Sequence, residues 1–170
     1  LLYIMRKIIY THFCSSEATA GVKRIIINQH RRFYDPQVGS FLMNGIPTQK
    51  IAKKEMRSHI GMVLQDAWLA KATIFENIAF GKEGATKEEV VAAAKKAHAD
   101  DFIRQLPQGY DTVISSDSGL STGQKQLLCV ARILLLAPEI VLLDEATSNI
   151  DLRTELLLSG AFDELMKGKT

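Results

Sequence analysis

The apolar positions of this chain fall into two kinds of block. Short β-branched or aliphatic runs at 4–10, 39–43, 60–64 and 140–143 predict strands. The run at 140–143, Ile-Val-Leu-Leu, is apolar without interruption, which predicts burial on both faces, as in a parallel sheet. Longer blocks predict helices at 51–58, 73–80, 86–98, 101–106, 121–136 and 151–166. The ends of these blocks are marked. Asn44-Gly45 is a strong turn signal. Thr86-Lys-Glu-Glu89 is a capping box. Ser121 and Asp151 stand where helix caps belong. Gly81, Pro107 and Pro138 stop the helices before them, and Tyr34-Asp35-Pro36 ends an apolar stretch at 25–33. Residues 11–20 and 109–118 read as loops. Strands that alternate with helices place the chain in the α/β class, with a mostly helical stretch at about 72–118.

Composition narrows the function. The 170 residues are 46% hydrophobic and 24% charged, enough for one core and too balanced for a disordered chain. No apolar run reaches the roughly 18 residues that span a bilayer. Residues 1–10 are broken by Arg6 and Lys7, so they do not read as a secretory signal. The net charge of +2 gives no case for a nucleic-acid partner. Cys14 and Cys129 have no metal or disulfide spacing, which points to a reducing compartment.

Three places carry chemistry. The strand at 140–143 delivers Asp144 and Glu145 at its C-terminal end, where open α/β sheets bind ligands. Asp144 suits Mg²⁺ and Glu145 suits the polarising of an attacking water. The plain alternative is a strand followed by solvated acids. Leu120-Ser121-Thr122-Gly123-Gln124 combines a hydroxyl, a glycine and a helix N-terminus, which together favour an anion. For this pentapeptide alone, an ordinary Ser-capped helix is the better reading. Gln65, after the strand at 60–64, is an amide that can ligate Mg²⁺ or sense a nucleotide, and alone it means little.

The order of the three is specific. It resembles the nucleotide-binding domain of ATP-binding-cassette (ABC) transporters. Leu120 to Gln124 resembles the signature motif, Ile140 to Glu145 the Walker B motif, Ala146 to Asp151 the D-loop, and Gln65 the Q-loop. Arg32-Phe-Tyr-Asp-Pro36 and Glu76-Asn-Ile-Ala-Phe-Gly81 resemble the exporter branch. The stretch 115–119 is a residue or two short of the exporter pattern. The resemblance implies an α/β P-loop NTPase core with an inserted helical subdomain, incomplete at the C-terminal edge. It divides the chain into 1–71, 72–120 with the signature motif at its end, and 121–170.

The resemblance also implies roles. The cofactors are ATP and Mg²⁺. Lys23, Gln65, Ser121, Gly123, Gln124 and Asp144 are the expected ATP-binding residues, with Asp144 and Gln65 at Mg²⁺, Glu145 catalytic and Asp151 in the D-loop. The partners are a second nucleotide-binding domain, head to tail, and an exporter's transmembrane domain, with no nucleic acid. The place is the cytoplasmic side of a membrane, peripheral through the transmembrane partner. Ser121 and Gly123 then contact the γ-phosphate held by the partner. The P-loop, which requires G-x-x-x-x-G-K-[ST], falls at 17–24 and departs from that pattern. Lys23 is in place. Glu17 and Val22 replace its glycines, and Arg24 replaces its Mg²⁺-binding hydroxyl. Gly21 stands one position early. Two functions therefore stay open: a transport ATPase, or an inactive fragment or degenerate subunit that only donates its signature motif to a partner's site. His12, His30, His59 and His98 match no family position and read as structural or solvated.

Overall fold

A computed structural model of the chain describes residues 42–43, 45–64, 67–115, 119–143 and 150–167. The predicted strand at 4–10, the altered P-loop with Lys23, Gln65, and the pair Asp144 and Glu145 lie outside the described residues. The chain divides into two compact units, one comprising residues 1–61, 138–142 and 168–170, the other 62–137 and 143–167.

In the first unit, β1 (Leu42–Met43) and β2 (Ile46–Pro47) form an antiparallel hairpin with Leu42 opposite Pro47 and Met43 opposite Ile46. Gly45, between the two strands, takes φ +78°, a region that favours glycine. A 3-10 turn, Thr48–Lys50, precedes α1 (Lys53–Ser58). The pattern predicted this helix from residue 51. Instead Ile51 donates its N–H to the Thr48 carbonyl at 3.1 Å and closes the 3-10 turn, so α1 begins two residues later. Met56 is the residue α1 buries. The strands β3 (Ile60–Val63) and β4 (Ile140–Leu143) pair, and the Ile140 N–H donates to the His59 carbonyl at 2.9 Å. His59 Nδ1 lies 3.3 Å from Glu139 Oε1, a structural use of one of the unassigned histidines.

The prediction of two buried faces for β4 is corrected. Ile140 is buried, Val141 and Leu142 are half-buried, and Leu143 is exposed. Among the described residues β4 pairs only with β3.

The second unit is helical: α2 (Ile74–Ala79), α3 (Lys87–Lys96), α4 (Asp100–Gln105), α5 (Thr122–Leu136) and α6 (Leu152–Met166). Caps set the starts. Thr73 with Glu76, and Thr86 with Glu89, form complete capping boxes, in which each side chain satisfies an N–H that has no acceptor within the helix. The α3 helix ends at Lys96, not His98, because His98 adopts φ +55° and leaves the helical region. The α4 helix runs one residue earlier than predicted at both ends. The expected loop at 109–118 contains a 3-10 turn, Gly109–Asp111, and an antiparallel bridge from Val113 to Thr73.

The central element is α5. Leu127, Leu128, Cys129, Val130, Ala131 and Ile133 are all buried, and α2, α3 and α6 pack around it. Fully burying a Leu, Ile or Val contributes roughly 1.5–3 kcal/mol, so this helix carries much of the unit's stability. It stops at Ala137, in the left-handed region at φ +47°, because Pro138 disfavours helical dihedrals in the residue before it. Among the described residues, no helix is long and apolar enough to cross a membrane.

Candidate nucleotide-binding site

The site begins at the turn into α5. Gly119 takes φ +67°, a region that favours glycine, and swings the chain into the cap. Leu120 is buried and anchors the turn from below. Ser121 is exposed in the extended N-cap conformation. Its Oγ accepts the Gln124 N–H at 3.2 Å, and Gln124 Oε1 accepts the Ser121 N–H at 2.9 Å. The Gln124 amide oxygen is thus spent within the turn. The Ser121 hydroxyl keeps its proton to donate outward. The N–H groups of Thr122 and Gly123, at the start of the helix, have no carbonyl a turn earlier to bond.

Charge at this turn is distinctive. Each of the other α-helices described has an acid in its first turn: Glu55, Glu76, Glu88 with Glu89, Asp100 with Asp101, and Glu155. The first turn of α5 has none. The positive end of its dipole is therefore uncompensated, which favours an anion there by roughly 0.3–1 kcal/mol, more when partly buried. A hydroxyl donor at a helix N-terminus whose first turn carries no acid fits a phosphate.

Gly123 is buried, and its place is set by packing. A Cβ there would collide with Thr154 Cγ2 and lie 3.1 Å from both Ile150 Cγ2 and Thr154 Cβ. Asp151 caps α6, accepting the Thr154 N–H at 3.0 Å. Bonds from the Thr154 side chain and amide hold the Asp151 carboxyl below the usual carboxylate range. Two predicted site residues, Gly123 and Asp151, are thus brought together through Thr154. Lys23, Gln65, Asp144 and Glu145 lie outside the described residues.

The segment after Gln65 is fixed by two residues that the sequence did not single out for this. Asn77 donates from Nδ2 to the carbonyls of Ala70, Ala72 and Thr73, and its Oδ1 accepts the Ala70 N–H at 2.8 Å. Arg132 donates from Nε to the Asn77 carbonyl at 2.8 Å and from Nη1 to the Trp68 carbonyl at 3.2 Å. Its guanidinium lies over the rings of Trp68 and Phe80, which meet edge to face. The only hint in sequence was Asn77 inside Glu76-Asn-Ile-Ala-Phe-Gly81.

The profile of the ABC transporter family matches residues 23–148, most of the chain. This chain belongs to the ABC transporter family. Members of that family are ATPases, and the fold is accordingly the ABC type of α/β P-loop NTPase. The chain is 46% identical over 153 residues to the Fatty acid ABC transporter ATP-binding/permease protein of Mycobacterium tuberculosis (strain CDC 1551 / Oshkosh), covering 89% of this chain and 24% of that protein. It is 44% identical over 154 residues to ABC transporter B family member 19 of Arabidopsis thaliana, covering 90% of this chain and 12% of that protein. Among solved structures, a bacterial Atm1-family ABC exporter with ATP bound superposes with a TM-score of 0.80 at 40% identity, over 89% of this chain and 27% of that one. The chain thus spans about a quarter or less of the length of these ABC transporter relatives.

Proposed function

We propose that this chain is the ATP-binding component of an ABC exporter, and that it binds and hydrolyses ATP to drive a substrate across a membrane. The observation that supports this is the turn at Ser121–Gln124: capped, with no acid in the first turn of its helix, and presenting a serine hydroxyl and the N-terminal end of α5. Ser121 and Gly123 would contact the γ-phosphate of ATP held on a second nucleotide-binding domain, packed head to tail. Lys23 would contact the phosphates of the chain's own ATP. Asp144 and Gln65 would hold Mg²⁺, and Glu145 would accept a proton from the attacking water. Mg²⁺, when bound, would supply neutralisation of the charge on the phosphates. Catalysis of this kind is positioning and electrostatics, which is the work of the rigid turn.

A transmembrane partner is part of the proposal, and the word permease in a relative's name supports it. With such a partner the chain would lie on the cytoplasmic side of the membrane, peripheral through that partner. The division at 1–71, 72–120 and 121–170 belongs to the same reading.

The test is Mg²⁺-dependent ATP hydrolysis by the full chain, alone and with Glu145→Gln. Hydrolysis abolished by Glu145→Gln is expected; hydrolysis unaffected by it removes Glu145 from the mechanism. The substitutions Glu17, Val22 and Arg24, beside an intact signature turn, favour a second reading in which the chain only donates Ser121–Gln124 to a partner. In that case this chain alone is inactive, and Ser121→Arg lowers the partner's ATPase.

A further inference from the structure

We propose that Thr154 is a positioning residue that locks the signature turn to the start of α6, so that Gly123 and Asp151 move as one rigid element. This rests on the ATP-binding reading above. The two substituents on Thr154 Cβ do different jobs. The backbone N–H donates to the Asp151 carboxylate at 3.0 Å, and the hydroxyl faces the same carboxylate. The methyl, Cγ2, occupies the space that a side chain at position 123 would need. A β-branched residue in a helix has few χ1 choices, so a hydroxyl turned toward Asp151 leaves the methyl beneath Gly123.

Gly123 is therefore required for room. It sits within a helix, at no positive φ, so alanine suits its backbone and would even favour the helix. What alanine meets is Thr154 Cγ2 in direct collision, and Ile150 Cγ2 and Thr154 Cβ at 3.1 Å. The last two need only a few tenths of an ångström of relaxation; the first has to be removed or displaced. Any shift of Asp151 is passed through Thr154 to the turn that carries Ser121.

The experiment is a double-mutant cycle in the full chain with Gly123→Ala, Thr154→Ser and the pair, plus Thr154→Val. Thr154→Ser keeps the hydroxyl and deletes the methyl; Thr154→Val does the reverse. Gly123→Ala is expected to lower the thermal midpoint by roughly 3–10 °C through overpacking, and adding Thr154→Ser to recover more than half of that loss. Amide hydrogen exchange supplies the second readout. Thr154→Ser alone should speed exchange severalfold in residues 119–124 and leave the C-terminal turns of α6 unchanged. Thr154→Val should leave 119–124 protected and loosen 150–154. Additive losses in the cycle, or exchange that rises uniformly along α6 with 119–124 unaffected, would overturn the proposal. Neither readout needs nucleotide. A chain that fails to hydrolyse ATP yet shows the coupling refutes the ATPase reading and leaves the Thr154 lock standing.

Discussion

Replacing Arg132 with methionine removes the clamp that holds the segment after Gln65 against α2 and α5. Three hydrogen bonds disappear: to the Asn77 carbonyl at 2.8 Å, the Trp68 carbonyl at 3.2 Å and Asn77 Oδ1 at 3.3 Å. The first is well made, and a bond from a charged donor contributes about 1.5–3 kcal/mol; the longer two contribute about 0.5 kcal/mol each. Stacking on Trp68 and Phe80, at 5.7 and 5.3 Å, adds about 0.5–1 kcal/mol because both rings are partly solvated. Methionine restores part of the buried stem, about 1 kcal/mol. The expected net loss is about 2–4 kcal/mol. Lysine keeps the charge without the planar fork and should lose about half as much. Trp68 is the only tryptophan, so urea unfolding followed by its fluorescence reads the clamped segment directly, with circular dichroism reading the helices. A loss below about 0.5 kcal/mol for Arg132→Met, with Trp68 emission unchanged, would refute the clamp.

Ser121→Ala should cost about 1 kcal/mol of stability by removing the α5 cap. Ser121→Asp should restore the cap and stability, yet lose ATP-dependent activity, because it puts a negative charge where the phosphate would sit; equal activity in the two variants would contradict the site. The depressed Asp151 carboxyl predicts a stability contribution that is complete above the ordinary aspartate pKa and is lost as pH falls through its lowered value. Asp151→Asn should flatten that acid limb in a denaturation series from about pH 7 to about pH 3, and an unchanged limb would exclude the cap as its source. Burial pushes the Cys129 thiol up, so in a Cys14→Ser background thiol reagents should label it slowly in buffer and fast in urea, whereas fast labelling in both would contradict its buried place.

Local chemistry was the legible part. Thr86-Lys-Glu-Glu89, Ser121 and Asp151 each announce a cap through side chains that satisfy nearby backbone groups, and each appears where expected; Gly45 takes the left-handed backbone its glycine allows. Element ends without such a signal slipped. Ile51 looked helical because it is apolar, but Ala52 cannot cap and the chain made a 3-10 turn first. His98 extended the predicted α3 although it is left-handed in the structure. Long-range partners were not legible. Arg132 lies inside an apolar helix pattern, and nothing local shows that Asn77 and Trp68 receive its guanidinium. The signature order pointed to Gly123 as a phosphate contact. That the same residue leaves room for a methyl of Thr154 depends on how α5 and α6 pack, which no short window of sequence contains.

The central claim is that this chain binds nucleotide. Calorimetric titration of Mg·ATP into the full chain, beside Lys23→Ala, tests it most directly. The account predicts saturable binding by the parent chain and its loss in Lys23→Ala. No heat of binding with either protein would contradict it and leave only the donated signature turn.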